Sequence, residues 1–148
     1  IYGRGDDDRR SVTASGNGSD SLVGRTDHNF FYFGYVDTGL VYAPRVSNMR
    51  IQHLGATCLL PELERWQLKF DAYDFRRDVP RAGNSDPFVT LNRSHMGREV
   101  DATVEFRPLA NLSLTTQYGV FFSGKAHATA TESHPRREYW GFACSVDF

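Results

Sequence analysis

No stretch of this chain approaches the roughly 18 apolar residues that a membrane helix needs, and the mean hydropathy is −0.48. A helical membrane span is therefore not expected. A membrane strand is not excluded, because it needs only about 10 residues and half of them can face water. Cysteine is scarce. Cys58 and Cys144 are the only two thiols in 148 residues, and no CxxC pair occurs, so neither a disulfide framework nor ordinary zinc spacing is present. Charge of one sign is missing too. The 17 Lys and Arg are balanced by 18 Asp and Glu, for a net charge of −1, which gives neither a nucleic-acid footprint nor an acidic tail. Catalytic signatures are absent as well. No Gly-x-Ser-x-Gly and no His-Glu-x-x-His appears. The groups that could do chemistry are His127, His134, Asp6–Asp8 and Ser94-His95, and every His except His53 falls on an expected loop. Arg4-Gly5-Asp6 is a short match of the kind that arises by chance, and Asp6–Asp8 reads as solvated loop carboxylates. No catalytic residue, metal or cofactor is expected.

What the chain does have is aromatic residues, 14% of the total, set in period-two alternation. The last segment alternates Trp140, Phe142, Cys144, Val146 and Phe148 with Gly141, Ala143, Ser145 and Asp147. Such a strand suits a wall with lipid on one side and water on the other. Strands are expected at about 49–60, 65–76, 97–107, 111–122 and 138–148. In the second, Trp66, Leu68, Phe70 and Ala72 oppose Gln67, Lys69, Asp71 and Tyr73. In the third, Val100, Ala102, Val104 and Phe106 oppose Glu99, Asp101, Thr103, Glu105 and Arg107. In the fourth, Leu112, Leu114, Thr116, Tyr118, Val120 and Phe122 oppose Ser113, Thr115, Gln117 and Gly119. The first is less regular: Leu54, Ala56, Cys58 and Leu60 share a face, but Ile51 and Leu59 fall on the other.

Connections at 61–64 and 108–110 are tight, whereas those at 77–96 and 123–137 are long and polar. Short and long loops thus alternate, as they do in outer-membrane barrels with short periplasmic turns and long external loops. In that orientation Trp66, Phe106 and Phe148 fall near the periplasmic interface, and Phe122 and Trp140 near the external one, where aromatic belts are expected. Residues 4–28 read as a long loop rich in Asp, Gly and Ser. Residues 29–42 read either as a further strand or as an aromatic segment folded into the lumen. The expected architecture is all-β, an antiparallel transmembrane β-barrel. Residues 4–48 form an external or infolded loop and 49–148 five meander strands. With the stub Ile1–Gly3 this makes about six strands, fewer than the eight or so of the smallest membrane barrels. Residues 1–148 are therefore expected to be the C-terminal part of a larger barrel, completed by further sequence or another chain.

Four stretches resemble the alginate-export family of outer-membrane barrels: Tyr2-Gly3-Arg4-Gly5-Asp6-Asp7-Asp8, Phe33-Gly34-Tyr35-Val36-Asp37, His95-Met96-Gly97-Arg98-Glu99-Val100-Asp101, and Leu112-Ser113-Leu114 through Tyr118-Gly119-Val120-Phe121-Phe122-Ser123-Gly124. Ser123 stands where the family usually has Pro. The similarity covers most of the chain but only the C-terminal third of such a protein. The resemblance implies a wide barrel in the outer membrane of a Gram-negative bacterium. It would pass polysaccharide such as alginate, or other hydrophilic solutes, without catalysis.

Within that expectation the pore-lining candidates are Lys69, Asp71, Glu99, Asp101, Glu105 and Arg107. With Asp147 the lining holds five carboxylates against two cations, an odd choice for a polyanion. Arg76, Arg77, Arg81, Arg93, Arg136 and Arg137, expected on loops, would give a basic mouth that steers an anionic polymer. The lining charges read equally as cross-strand pairs that hold the wall. Gly141, Val146 and Phe148 resemble the signal read by the barrel-assembly machinery. Expected partners are thus membrane lipid, the rest of the barrel, that machinery and a polysaccharide, with no nucleic acid. Cys58 and Cys144 lie on strands separated by three others, about 19 Å apart at the usual strand spacing, and are expected to be free thiols. Two alternatives stay open: a general porin-like or structural barrel, and a soluble lipocalin-like binding barrel whose Trp66, Phe106, Trp140 and Phe148 line an apolar cavity.

Overall fold

Alternation of apolar and polar residues, rich in Val, Phe, Tyr and Thr, favours a pleated strand over a helix, because a helix would scatter both classes around its cylinder. The protein follows that pattern. The computed structural model describes residues 1–3, 36–60, 65–82, 86, 88–89, 91–127 and 136–147. Its strands are β1 (Tyr2–Gly3), β2 (Met49–Leu59), β3 (Trp66–Arg77), β4 (His95–Leu109), β5 (Leu112–Ser123) and β6 (Arg136–Val146). They form one six-stranded sheet in the order β1-β2-β3-β4-β5-β6, and every neighbouring pair is antiparallel. No helix occurs among the described residues, and none is long and apolar enough to cross a membrane. The sheet is open: among the described residues nothing joins β6 back to β1.

The five long strands lie within two residues of the expected bounds. The connection expected at 108–110 is tighter, since β4 runs through Leu109 and β5 starts at Leu112, with a register shift between Phe106 and Leu109. Arg76, Arg77, Arg136 and Arg137 are not loop residues as expected but strand ends. Parity then splits each pair between the two faces of the sheet. His95 likewise opens β4 rather than lying on a loop. Residues 4–28, 29–35, 61–64, His134 and Phe148 lie outside the described residues.

Register defines the faces. On one, Ala56, Phe70, Ala102, Tyr118 and Trp140 lie side by side across β2 to β6, and the next row holds Cys58, Leu68, Val104, Thr116 and Phe142. This face is broadly exposed: Leu54 is 77%, Phe70 53%, Trp140 70% and Phe142 73% accessible. Val120 shares it but is buried at 8%, between Val100 and Glu138 in the register. Neighbouring rings pair across strands, with Trp66 stacked on Phe106 at 4.3 Å and Tyr118 tilted against Trp140 at 4.3 Å.

The opposite face holds the core. Met49, Ile51, Tyr73, Phe75, Met96 and Phe121 are buried there together with Val46 and Ala126. A β-bulge makes this packing. The register shifts between Phe75 and Arg76, so Met96 is the extra residue and turns into the core, while His95 pairs with Arg76 on the exposed face. Gly97 permits it: its φ is +155°, and a Cβ there would strike the Phe121 ring.

Candidate functional site

The covered face is built in three tiers along the strands. At the long-loop end lies an aromatic box. Tyr42 stacks on Phe121 with centroids 4.4 Å apart and meets Phe75 edge-on at 5.0 Å. His127 closes the box edge-on to Tyr42 and Phe121. Beneath it, Asp71, Glu99 and Asp101 form a carboxylate tier, 5%, 1% and 3% exposed. Buried carboxylates require donors, and here they find backbone. Glu99 accepts the Val41 N–H at 2.7 Å and the Tyr42 N–H at 2.8 Å. Asp101 accepts the Leu40 N–H at 3.0 Å. Asp71 is held by His53 at 2.7 Å and Lys69 at 3.1 Å, and Lys69 reaches Asp37 at 3.8 Å. The third tier, towards the short turns, stays accessible. Glu105 and Arg107 pair there at 2.6 Å, with Gln67, Thr103 and Thr115 around them in the register.

Residues 36–48 are thus a segment clamped onto the wall, and among them no strand forms. Their three successive N–H groups at 40–42 meet two carboxylates that β4 places on one face by its two-residue period. Gly119 on β5 leaves the room: a Cβ there would come within 2.7 Å of Val41 Cγ2. The far end is pinned by Asn48, fully buried at φ 50°. Its amide nitrogen donates to the Val79 carbonyl at 3.0 Å, and its oxygen accepts the Val79 N–H at 2.8 Å.

Chain beyond β3 is fastened to the same end. Arg77, 6% exposed, donates to the carbonyls of Ala82 and Leu91. It is a structural tie and not the steering charge expected at the mouth. Asp86 accepts the Phe88 N–H at 2.8 Å and pairs with His127 Nε2 at 2.9 Å. Nε2 must carry the hydrogen, since the carboxylate can only accept. Burial alone would raise the Asp86 pKa, but the bonds from His127 and Phe88 prevail and hold it below the usual carboxylate range. Burial, and next the Asp86 charge, push the Tyr42 hydroxyl well above the ordinary tyrosine value. A cleft of about 240 Å³ opens here, bordered by Tyr42, Pro44, Arg45, Asp86, Phe88 and Arg137. The Arg137 guanidinium lies over Phe88 at 5.5 Å and over Phe121 at 6.0 Å.

No protein-family model matches this chain, and no curated protein matches it significantly. The geometry therefore carries the functional reading.

All six lining candidates fall on one face, but they separate into two groups. Lys69, Asp71, Glu99 and Asp101 belong to the clamp, and Glu105 and Arg107 to the open tier. The ionic groups act together with residues the sequence reading gave no such role: His53 and the 40–42 backbone in the clamp, with Asp37 from the resemblance motif, and Asp86 at the cleft, where it pairs with His127, which the sequence suggested only as a catalytic candidate. Of the assembly-signal candidates, Gly141 faces the covered side opposite Gln117, and Val146 the exposed side opposite Leu112. Cys58 and Cys144 are both free and exposed, and β3, β4 and β5 lie between their strands. No group of His, Cys, Asp or Glu suited to a metal occurs among the described residues.

Proposed function

We propose that this chain is part of the wall of an outer-membrane β-barrel that passes hydrophilic solutes, with segment 36–48 folded into the lumen as a constriction. One observation carries the reading: one face of the sheet shows an uncovered apolar band beneath a row of arginines, while the ionic tiers lie on the other face, next to the buried core and under segment 36–48. A soluble sheet buries its apolar face, and a lipocalin-like barrel would turn Trp66, Trp140 and Phe142 inward. Here they lie opposite the face that segment 36–48 covers. Lipid suits the uncovered face and water the ionic one. An open edge is untenable in lipid, because its N–H and C=O groups would stay unpaired. The barrel is therefore completed beyond these six strands, and the assembly machinery of the outer membrane of a Gram-negative bacterium would insert it.

The substrate reading rests on the resemblance to the alginate-export family, with an anionic exopolysaccharide as one candidate cargo. The cationic Arg137 and Arg45 border the cleft at the long-loop end, while the carboxylate tier beneath is largely occupied by its own backbone donors.

The test is conductance. The full-length protein in planar bilayers should form an ion-conducting pore, and shortening segment 37–43 should raise its conductance. Replacing Glu99, Asp101 and Glu105 with neutral residues should shift selectivity towards anions, because fixed carboxylates favour cations. An inserted barrel that stays silent with the segment shortened sinks the transport reading.

A further inference from the structure

Above the apolar band, on the same uncovered face, the sheet carries a row of arginines. Arg50 and Arg76 are direct register partners, and Arg76 pairs with His95. One row down, Asp74, Arg98, Phe122 and Arg136 follow one another across β3 to β6. At about 4.8 Å per strand this collar runs roughly 19 Å from β2 to β6. Parity puts all four guanidinium groups on the side of Leu54, Phe70 and Trp140 rather than on the side of the clamp.

The vertical arrangement of charge is what gives the collar a partner. Asp74 lies under two arginines, accepting Arg76 Nε at 2.6 Å and Arg98 Nε at 3.1 Å. Asp78 lies under Arg50 at 2.6 Å and also accepts the Tyr2 hydroxyl at 3.0 Å. The side chains of these carboxylates are only 17% and 8% exposed, against 53%, 68% and 63% for Arg76, Arg98 and Arg50. On β6, Arg136 pairs with Glu138 at 2.8 Å, and both are about half exposed. Around β2 to β4 the anions therefore sit below and the cations on top. Arg76 and Arg98 are engaged through Nε, and both side chains are more than half exposed. A guanidinium held in this way presents a planar pair of donors, the geometry that binds phosphate with two parallel bonds. Aromatic rings flank the row: Arg50 lies over Tyr2 at 5.4 Å and Arg136 over Phe122 at 5.9 Å. The amphipathic ring of a tyrosine such as Tyr2 settles at headgroup level.

We infer that this collar binds phosphate-bearing headgroups of net negative charge in the surrounding leaflet. The apolar band below it is continuous with the collar and would hold the acyl chains of the same lipids. The inference rests on the membrane reading above and adds a specific annular lipid site to it: anionic phospholipid is held and neutral zwitterionic lipid is not. Each exposed cation near an anionic surface contributes enough for a severalfold preference.

The full-length protein refolded into phosphatidylcholine vesicles containing a minor fraction of brominated phosphatidylglycerol tests this, with brominated phosphatidylcholine as the control. Trp140, on the same face one strand from Phe122, reports by quenching, read as the difference from Trp140→Phe. Insertion is checked separately by heat-modifiable migration. Brominated phosphatidylglycerol should quench at a mole fraction about tenfold lower than brominated phosphatidylcholine. Arg76→Gln with Arg98→Gln should reduce that preference severalfold, and Arg76→Lys with Arg98→Lys should retain most of it. An inserted protein with no preference, or one whose preference survives the glutamine pair, overturns the collar and leaves the membrane reading standing. Failure to insert into either vesicle overturns the membrane reading, and the collar falls with it.

Discussion

Glu99 uses both of its carboxylate oxygens to hold backbone, and Asp101 adds a third acceptor one step along the same face. Such charge-assisted bonds contribute about 1.5–3 kcal/mol each when the alternative is a buried orphan. Glu99→Gln should loosen residues 40–42 without disturbing β4. Amide hydrogen exchange at Val41 and Tyr42 should then be at least about tenfold faster, which corresponds to roughly 1.4 kcal/mol. Unchanged exchange there would show that the aromatic stack alone holds the segment. Asp86 answers to pH. Its carboxyl is depressed in the folded protein, so the stability it adds is fully present above the ordinary aspartate value of about 3.9 and is lost as pH falls through the depressed one. Asp86, and with it Phe88 and Val89, should stay docked beside His127 at neutral pH and release in acid below about pH 4. Limited proteolysis across that range should show it, and Asp86→Asn should release the segment at neutral pH too.

At the scale of the strand, parity decides what a substitution costs. Val104 lies on the uncovered face between Leu68 and Thr116 in the register. Arg placed there should cost about 2–4 kcal/mol in a bilayer, the penalty for a cation near the midplane. Denaturant titration of the refolded barrel measures this, and a cost near zero would mean that the face meets water. Parity was also the part of the fold that could be read from residues alone. Trp66, Phe70, Val100, Val104 and Phe142 alternate with polar or small neighbours, and all sit on the uncovered face. The docking of 36–48 was not legible in the same way. Leu40 meets Asp101 across 61 positions and Tyr42 meets Glu99 across 57, and no local period encodes contacts so distant. The bulge at Met96 was hidden too. By two-residue alternation Met96 belongs with Arg98 and Val100, and only the extra residue in the ladder turns it to the core. The split of Arg76 from Arg77 was implicit in the alternation, once β3 was carried through to Arg77.

For the molecule as a whole, the two thiols offer an independent reading of the wall. Cys58 and Cys144 are exposed and free, and both share the face of Phe70 and Trp140. In the inserted protein they should react with a lipid-soluble maleimide and resist a membrane-impermeant one, while detergent-free unfolded protein reacts with both. Ready labelling of the inserted barrel by the impermeant reagent would place this face in water. No disulfide should form between them under oxidising conditions, since three strands separate them.

Strand order equals chain order throughout this sheet. Among the described residues each long strand touches only the strands before and after it in sequence, and no crossover joins distant strands of the sheet. A wall wired in this way is modular. A copied hairpin of the β3–β4 kind can be spliced in at a short turn, and every other pairing remains as it was. In the proposed barrel the circumference would then grow by two strands and the bore would widen with it. A lineage carrying this meander would change the calibre of such a barrel by duplication or loss of hairpins, with the clamp on β4 inherited intact and only the gap that the segment must bridge altered.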